Sequence, residues 1–469
     1  GPEGYQWYPD HPELTVERPY LYECTFAHEY QHLIHADYNP GDDTFTNEGC
    51  SMFAEILCYG SYGIAWNHIN SFLYTPDNSL TEWGDQGDIN ILADYGAVQL
   101  FATYLNDHYG EEFIGHFVQA GIPGIEGINA ALEYFGYSER FDDVFRDWRI
   151  ANLIHTDFPG WEKYNYKTID LNSEEAIPAR MYEVKGFTKW KKGTDFGTTE
   201  TILDYDTGIS KIGPYGSDYI KLYDWKKLGK IYFDGDDTAI VPYEWTWNGT
   251  CWYSGAQDEM DNLMVGEAYV DPADPTLEIT TYWDIEDNWD FGFVQLSTDG
   301  GETWVSLENE YTTDEHDPSA MGSIVANLPG LTGWSEDWIT IDFDLTDYAG
   351  ENVLIGFRYM TDWATTYEGW YISEASVSGA QLELTAVYPE ADFQVTVIQA
   401  FEIDGCTIYT PWDMRLNDET EKGFMFAYAK KPAYIILVVS PTMQKGFVDY
   451  KFKVDRLSGR FRNNIDKWK

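Results

Sequence analysis

The stretch Thr25-Phe26-Ala27-His28-Glu29-Tyr30-Gln31-His32-Leu33-Ile34 decides the fold predicted for the first part of this chain. In a helix, His28 and His32 stand one turn apart on the same face, so both imidazoles can reach a single ion. Glu29 lies beside that face, where a carboxylate can accept a proton from a metal-bound water. This H-E-x-x-H spacing is typical of zinc hydrolases, but it is short, and a zinc site of this kind needs a third ligand.

A second helical segment begins at Thr46-Asn47-Glu48-Gly49, after the helix-breaking residues 39–43. Glu48 and Glu55 are seven residues apart, which is two turns, so they share one face of that helix. The connection is long enough for the second helix to fold back across the first. Glu48 can then complete a His2Glu site whose fourth zinc position is left to water. Glu55 is predicted to accept a ring N–H from a ligand histidine and to fix its tautomer.

H-E-x-x-H followed by N-E-G-x-x-x-x-A-E resembles the gluzincin metallopeptidases, particularly the hyicolysin-type enzymes and the membrane-alanyl-aminopeptidase group. The resemblance implies that His28, His32 and Glu48 bind zinc and that Glu29 is the general base. It also implies an electrophilic donor, for which Tyr95 at the start of a Gly-Ala helix is the nearest match. Its spacing from the glycine departs from the aminopeptidase pattern. An ordinary hydrogen bond from a buried tyrosine is an equally good interpretation.

Helical periodicity continues in further segments between Ala93 and Asn152. The series resembles the helical C-terminal half of a gluzincin catalytic domain, and residues 1–158 are therefore predicted to be that part. Gluzincins place a sheet before the H-E-x-x-H helix, and its edge strand pairs with the peptide substrate. Only 27 residues precede His28, too few for this sheet. We expect an upstream segment that was cleaved off or omitted and that can remain bound as a partner chain.

After residue 158 the helical periodicity gives way to short alternating runs bounded by turn residues. Residues 242–385 resemble the jelly-roll module of immune inhibitor A-type secreted peptidases, through Y-x-x-I-E, S-T-D-G-G-x-T-W and F-R-Y-x-T-D. Residues 159–241 and 386–455 are predicted to form one discontinuous β-sandwich, because together they bury faces that neither can bury alone. Residues 456–469 are predicted to be a tail. The expected fold class is thus multidomain α + β.

Sandwich loops of this kind often hold structural calcium, which carboxylate oxygens bind. The candidate oxygens come from Asp258, Asp261, Asp287, Asp290 and Glu374. For any single one of these acids, a solvated surface position is the commoner interpretation, because the whole chain is acidic. The cofactors expected are therefore Zn2+ in the helical part and Ca2+ in the β-rich part.

The formal net charge of −51 excludes nucleic acid and anionic membrane surfaces as partners, because such a surface repels both. The sequence contains no apolar run of about eighteen residues or more, so no membrane span is predicted. Acidic loops suit an extracellular, calcium-containing medium, and we expect the protein to be secreted or associated with the cell surface.

Together these patterns predict a zinc metalloendopeptidase whose partner is a protein or peptide substrate. A different class remains open: a cell-surface adhesin or glycan-binding protein built on the β modules, with a non-catalytic metal site. The presence of Glu29 favours the peptidase, since a structural metal site has no need of a general base. An aminopeptidase would need a further carboxylate to hold the substrate amine, and no motif in the sequence supplies it.

Overall fold

The computed structural model describes residues 5–6, 16–17, 20–83, 91–193, 212–224, 228–241, 244–258, 260–301, 303–417, 422–428 and 434–456. Helices dominate the early part of the described chain and strands the rest, which confirms the coarse prediction of a multidomain α + β protein. The chain divides into two compact units. The first comprises residues 1–39, 44–240 and 389–469, and the second comprises residues 40–43 and 241–388. The predicted tail lies outside the described residues beyond Arg456.

The described residues of the first unit contain a series of α-helices before residue 155. They are α1 (Leu21–Tyr38), α2 (Thr44–Tyr59), α3 (Trp66–Tyr74), α4 (Ile91–Tyr109), α5 (Glu111–Ala120), α6 (Gly124–Tyr134) and α7 (Phe141–Ile154). The sequence did not predict α3, because its nine residues are too few for a clear 3.6-residue period. No described helix combines the length and the apolar character needed to cross a bilayer.

The first strands are β1 (Tyr5–Gln6), β2 (Val16–Glu17), β3 (Tyr182–Lys185), β4 (Lys191–Lys192), β5 (Asp218–Tyr223) and β6 (Leu228–Gly235). In the second unit the strands are β7 (Thr246–Trp247), β8 (Trp252–Tyr253), β9 (Asp261–Tyr269), β10 (Thr276–Asp284), β11 (Phe291–Ser297), β12 (Val305–Ser306), β13 (Ile339–Asp344), β14 (Asn352–Met360), β15 (Gly369–Val377), β16 (Ala380–Gln381) and β17 (Thr385–Val387). The described residues of this unit also form a short α-helix, α8 (Gly322–Val325), and a 3-10 turn at Thr346–Tyr348. The last strands are β18 (Phe393–Ile403), β19 (Cys406–Asp413), β20 (Lys422–Tyr428), β21 (Tyr434–Pro441) and β22 (Tyr450–Arg456).

Two sheets of the first unit combine strands from before residue 240 with strands from after residue 389. Their orders are β19-β18-β21-β5-β3 and β20-β6-β22-β4. The pairings are antiparallel except for β3 with β5, which is parallel. Nearly all of β21 is buried, as expected for an apolar central strand between two covered faces. Side chains of both sheets, such as Leu437 and Phe233, share one apolar core.

The helices and the first of these sheets are joined by a common core in the first unit. Ile398 and Val438 of the sheet belong to the same apolar cluster as Phe145 and Trp148 of α7. Arg149, which is fully buried, donates hydrogen bonds to strand β18 from its guanidinium group. Helix α7 therefore packs directly on this sheet.

The second unit is a sandwich of two mainly antiparallel sheets. One has the order β13-β10-β15-β8-β7, with β16 beside β15, and the other has the order β12-β11-β14-β9-β17. Strand β10 alternates buried and more exposed residues, with Leu277 and Ile279 facing inward and Glu278 facing out. Ile355 and Phe357 of the opposite sheet complete the core. This is the inward-apolar, outward-polar alternation expected of a sandwich.

Candidate metal centre

Helix α1 turns a narrow stripe of its surface toward the helical core and leaves the rest exposed. Its buried residues are Cys24, His28 and His35. The rings of His28 and His32 meet edge to face, with centroids 4.8 Å apart. Their Nε2 atoms are 3.2 Å apart. The one-turn spacing read from the sequence therefore brings two imidazole nitrogens to a common point.

Glu48 reaches the same point from α2. Its Oε2 lies 3.2 Å from Nε2 of His28 and 3.6 Å from Nε2 of His32. These three side chains form a group whose ligand atoms all lie within 4.8 Å of one another. Glu48 Oε2 is buried, and none of its contacts with the described residues has hydrogen-bond geometry. A buried carboxylate oxygen without such a partner is costly unless a cation faces it.

In each histidine, the ring nitrogen on the other side from Glu48, Nδ1, has a polar neighbour. His28 Nδ1 lies 3.2 Å from Oε1 of Glu55. His32 Nδ1 lies 2.9 Å from Oδ1 of Asn47. Both partners are acceptors, so each ring can place a proton on Nδ1, and a ring in that neutral tautomer turns the lone pair of Nε2 toward Glu48. This is the tautomer that a metal-binding histidine requires.

The pKa values show that the centre attracts positive charge. Burial opposes the charged form of His28, but Glu48 and Glu55 outweigh it and raise its pKa to about 9. Burial likewise opposes ionisation of Glu48, yet the two histidines lower its pKa to about 2. Two imidazoles and a carboxylate therefore converge where a cation is favoured, and these donors suit Zn2+.

The two predicted catalytic side chains lie near this centre. Glu29 is on the exposed side of α1, next in sequence to His28. The ring centroid of Tyr95, in the second turn of α4, is 6.4 Å from that of His28. Burial, followed by the charges of Glu48 and Glu29, raises the pKa of Tyr95 to about 12. Its hydroxyl therefore keeps its proton at neutral pH and can act as a hydrogen-bond donor.

Two aromatic neighbours hold Tyr95 in place, and the sequence indicated neither. The ring centroid of His68, on α3, is 5.6 Å from that of Tyr95, and the centroid of Trp83 is 5.0 Å away in an edge-to-face contact. Helix α3 can come this close because of Gly96, where a Cβ would lie 2.1 Å from the backbone oxygen of His68. The glycine following Tyr95 is thus required by helix packing.

The sequence also missed the polar side chains behind His32. Ser51 Oγ lies 3.1 Å from His32 Nδ1 and donates a 2.5 Å hydrogen bond to Gln31 Oε1. Gln31 in turn contacts Nδ1 of His35 at 3.1 Å. Asn47 could have been found as the first residue of N-E-G, whereas Ser51 and Gln31 have no motif that marks them. They connect α1 to α2 beside the histidines.

The five acids predicted as calcium ligands do not converge. Asp261 pairs with Arg358, whose Nε and Nη2 lie 2.5 and 2.7 Å from its two oxygens. Asp287 and Glu374 are exposed. Asp290 belongs to a metal-like cluster, described below with partners that the sequence did not suggest, and Asp258 is close enough for its charge to act on that cluster.

Comparison with known proteins relates part of this chain to an immune inhibitor A-type module and to a metalloprotease. A family model described as "Immune inhibitor A-like, MAM domain" matches residues 237–407. The pre-pro-metalloprotease PrtV of Vibrio cholerae serotype O1, from strains M66-2 and El Tor Inaba N16961, is 29% identical over 124 residues. That alignment covers 26% of this chain and 12% of the relative. The chain thus contains an immune inhibitor A-type module and has distant similarity to a metalloprotease, which indicates a protease-related function.

Proposed function

We propose that this chain is a zinc metalloendopeptidase that acts outside the cell on protein or peptide substrates. In this proposal His28, His32 and Glu48 hold the zinc ion, and Glu29 is the general base. The observation that carries it is the convergence of two Nε2 atoms on the buried Oε2 of Glu48, an oxygen without a hydrogen-bond partner among the described residues. A chance pair of histidines on a helix would have no reason to have both Nδ1 atoms held from behind.

When bound, Zn2+ supplies Lewis acidity, which polarises a water molecule and lowers its pKa. Glu29 accepts a proton from the attacking water and later donates it to the leaving amine. Tyr95 donates its O–H to the peptide carbonyl oxygen as negative charge develops there. Glu55 and Asn47 keep the histidine rings in the tautomer that exposes Nε2.

The proposal includes a division of the chain by role. Residues 1–158 contribute the helical part of the catalytic domain, and residues 242–385 form the jelly-roll module. Residues 159–241 with 386–455 form the discontinuous sandwich. Strands β6 and β20, which pair along their length, support this last assignment.

The test combines zinc analysis with peptide-library cleavage by the full chain. Glu29→Gln is expected to retain zinc and to lose about 10²- to 10⁴-fold in kcat, because only proton transfer is removed. Glu23→Gln, on the same helix, is the matched control and should keep both zinc and activity. Tyr95→Phe should keep zinc and lower kcat more than it changes KM, because its hydrogen bond strengthens in the transition state.

Loss of a zinc ligand provides the second arm of the test. His32→Ala should lose zinc and cleavage together, while His116→Ala, whose ring stacks on Tyr134, should lose neither. Equal cleavage by wild type and Glu29→Gln would refute the mechanism. A wild-type protein that binds zinc stoichiometrically but cleaves no peptide would favour the adhesin or glycan-binding alternative.

A further inference from the structure

A second group of acids converges in the second unit, outside the site described above. Glu286 and Asp290 come from the loop between β10 and β11, and Asp362 follows the end of β14. Each of the three residues has one carboxylate oxygen that lies within 4.8 Å of an oxygen of each of the other two. Asp258 is close enough for its charge to raise the pKa of all three.

Asp290 is the central member of this cluster, and its environment is not that of a surface acid. Its side chain is completely buried, with 0% exposure. One oxygen, Oδ1, accepts the backbone N–H of Asp362 at 2.8 Å. The other, Oδ2, has no hydrogen-bond partner among the described residues. A fully buried carboxylate that has one unpartnered oxygen and lies among further carboxylates is costly unless a cation or a proton neutralises it.

No basic side chain in the described part of the second unit supplies that charge. Arg358, on β14 close to Asp362 in sequence, is held by a two-point ion pair with Asp261. It also donates to Oδ1 of Asn327 at 3.3 Å. The described ion pairs include none with Glu286, Asp290 or Asp362.

We propose that Glu286, Asp290 and Asp362 bind a calcium ion. Carboxylate oxygens without histidine or cysteine are hard donors, which suit Ca2+ and not Zn2+. Two of the ligands come from one loop and the third from a strand end, so the ion cross-links segments more than seventy residues apart. Its role is structural, and it is independent of the zinc centre and of the proposed peptidase activity.

The competing occupant is a proton. Burial, with the neighbouring acids, raises the pKa of Asp290 to about 8, so without a cation this carboxyl would be neutral below that pH. The two occupants behave oppositely when the charge is removed. The Asp290→Asn side chain mimics the protonated acid but is a weaker calcium ligand. If a proton occupies the site, this substitution preserves stability. If calcium occupies it, the substitution abolishes the response to calcium.

The test uses the full chain, stripped of metal by a chelator and titrated with Tb3+. Trp289 precedes Asp290 in the chain, and Tyr359 is close enough to Asp290 for that carboxylate to raise its pKa. Bound Tb3+ should therefore be sensitised by excitation of these rings. Saturable luminescence is expected, displaced by Ca2+ with half-saturation of about 10⁻⁵ to 10⁻³ M and much less effectively by Mg2+. Added Ca2+ should raise the melting temperature by several degrees.

In Asp290→Asn and in Glu286→Gln, the half-saturating concentrations for the Tb3+ signal and for the Ca2+ shift in melting temperature should each rise at least tenfold. Glu374→Gln, an exposed acid on β15, is the matched control and should leave both unchanged. His32→Ala should remove zinc without changing the calcium response, which separates this proposal from the peptidase. No Tb3+ signal in wild type, or wild-type responses in both cluster variants, would overturn the calcium site. If Asp290→Asn does not fold, Glu286→Gln alone decides.

Discussion

Replacing Glu55 with leucine should weaken zinc binding, because the Glu55 carboxylate is the described acceptor behind His28. Oε1 lies 3.2 Å from Nδ1 of that ring. Without this acceptor the ring is free to move its proton to Nε2, which blocks the nitrogen that faces Glu48. Loss of such an outer hydrogen bond typically costs about 10- to 100-fold in metal affinity, which is about 1.4 to 2.7 kcal/mol.

The Nδ1 atom of His32 has more than one acceptor nearby, so removing a single acceptor there should lower zinc affinity less than removing Glu55. Its Nδ1 has two oxygen neighbours, Asn47 Oδ1 at 2.9 Å and Ser51 Oγ at 3.1 Å. The Ser51 hydroxyl donates its proton to Gln31, so its lone pairs remain able to accept from the ring. Asn47→Leu alone should therefore cost less than about tenfold in zinc affinity. Removing Asn47 and Ser51 together should cost more than the sum of the single changes.

Competition with a chromophoric zinc chelator measures these affinities directly. Glu55→Gln should lie between wild type and Glu55→Leu, because an amide oxygen still accepts the proton but carries no charge. Glu111→Gln, at the start of α5, is a matched control that should bind zinc like wild type. Wild-type affinity in Glu55→Leu, with an unchanged melting temperature of the zinc-free protein, would refute the role assigned to Glu55. A larger loss in Asn47→Leu than in Glu55→Leu would refute the argument from paired acceptors.

Two further predictions concern stability. Gly96→Ala should destabilise the protein by about 1–3 kcal/mol or more, because the new Cβ meets backbone of α3, whereas Gly115→Ala, where a Cβ meets nothing within 4 Å, should be neutral or stabilising by about 0.5–1 kcal/mol in denaturant titrations. Burial, followed by Asp77, raises the pKa of Asp218 to about 8, although the Tyr450 hydroxyl donates to it at 2.6 Å. Because the folded state binds this proton more tightly, unfolding free energy should fall as pH rises from about 4 to 8. Asp218→Asn should flatten that profile, and an unchanged slope would contradict the assignment.

Helical periodicity in the sequence was the pattern from which the positions of the site's side chains could be predicted. It predicted α1 and α2, and with them which side chains share a face: His28 with His32, and Glu48 with Glu55. That the second helix folds back across the first was inferred from the length of the connection and not from the period. The roles of these residues remain a proposal. Tyr95 could be placed only approximately, because its neighbours come from α3 and from Trp83, which no periodic pattern marks.

The acids of the second unit show why composition could not identify a metal site there. Five carboxylates were chosen because they lie near predicted loops, yet what brings Asp290 and Asp362 together is strand register. Phe291 of β11 pairs with Met360 of β14 in an antiparallel ladder, so the residue before Phe291 lies beside the residues that follow Met360. In the pairing of β9 with β14, Asp261 lies opposite Met360. Arg358 is two residues before Met360 on β14 and forms the ion pair with Asp261. A shift of one residue in either pairing would turn the side chains of the shifted strand to the opposite face of the sheet and separate these groups. Register is fixed by the apolar core of both sheets, which depends on many residues at once, and it therefore cannot be derived from the local pattern around any single aspartate.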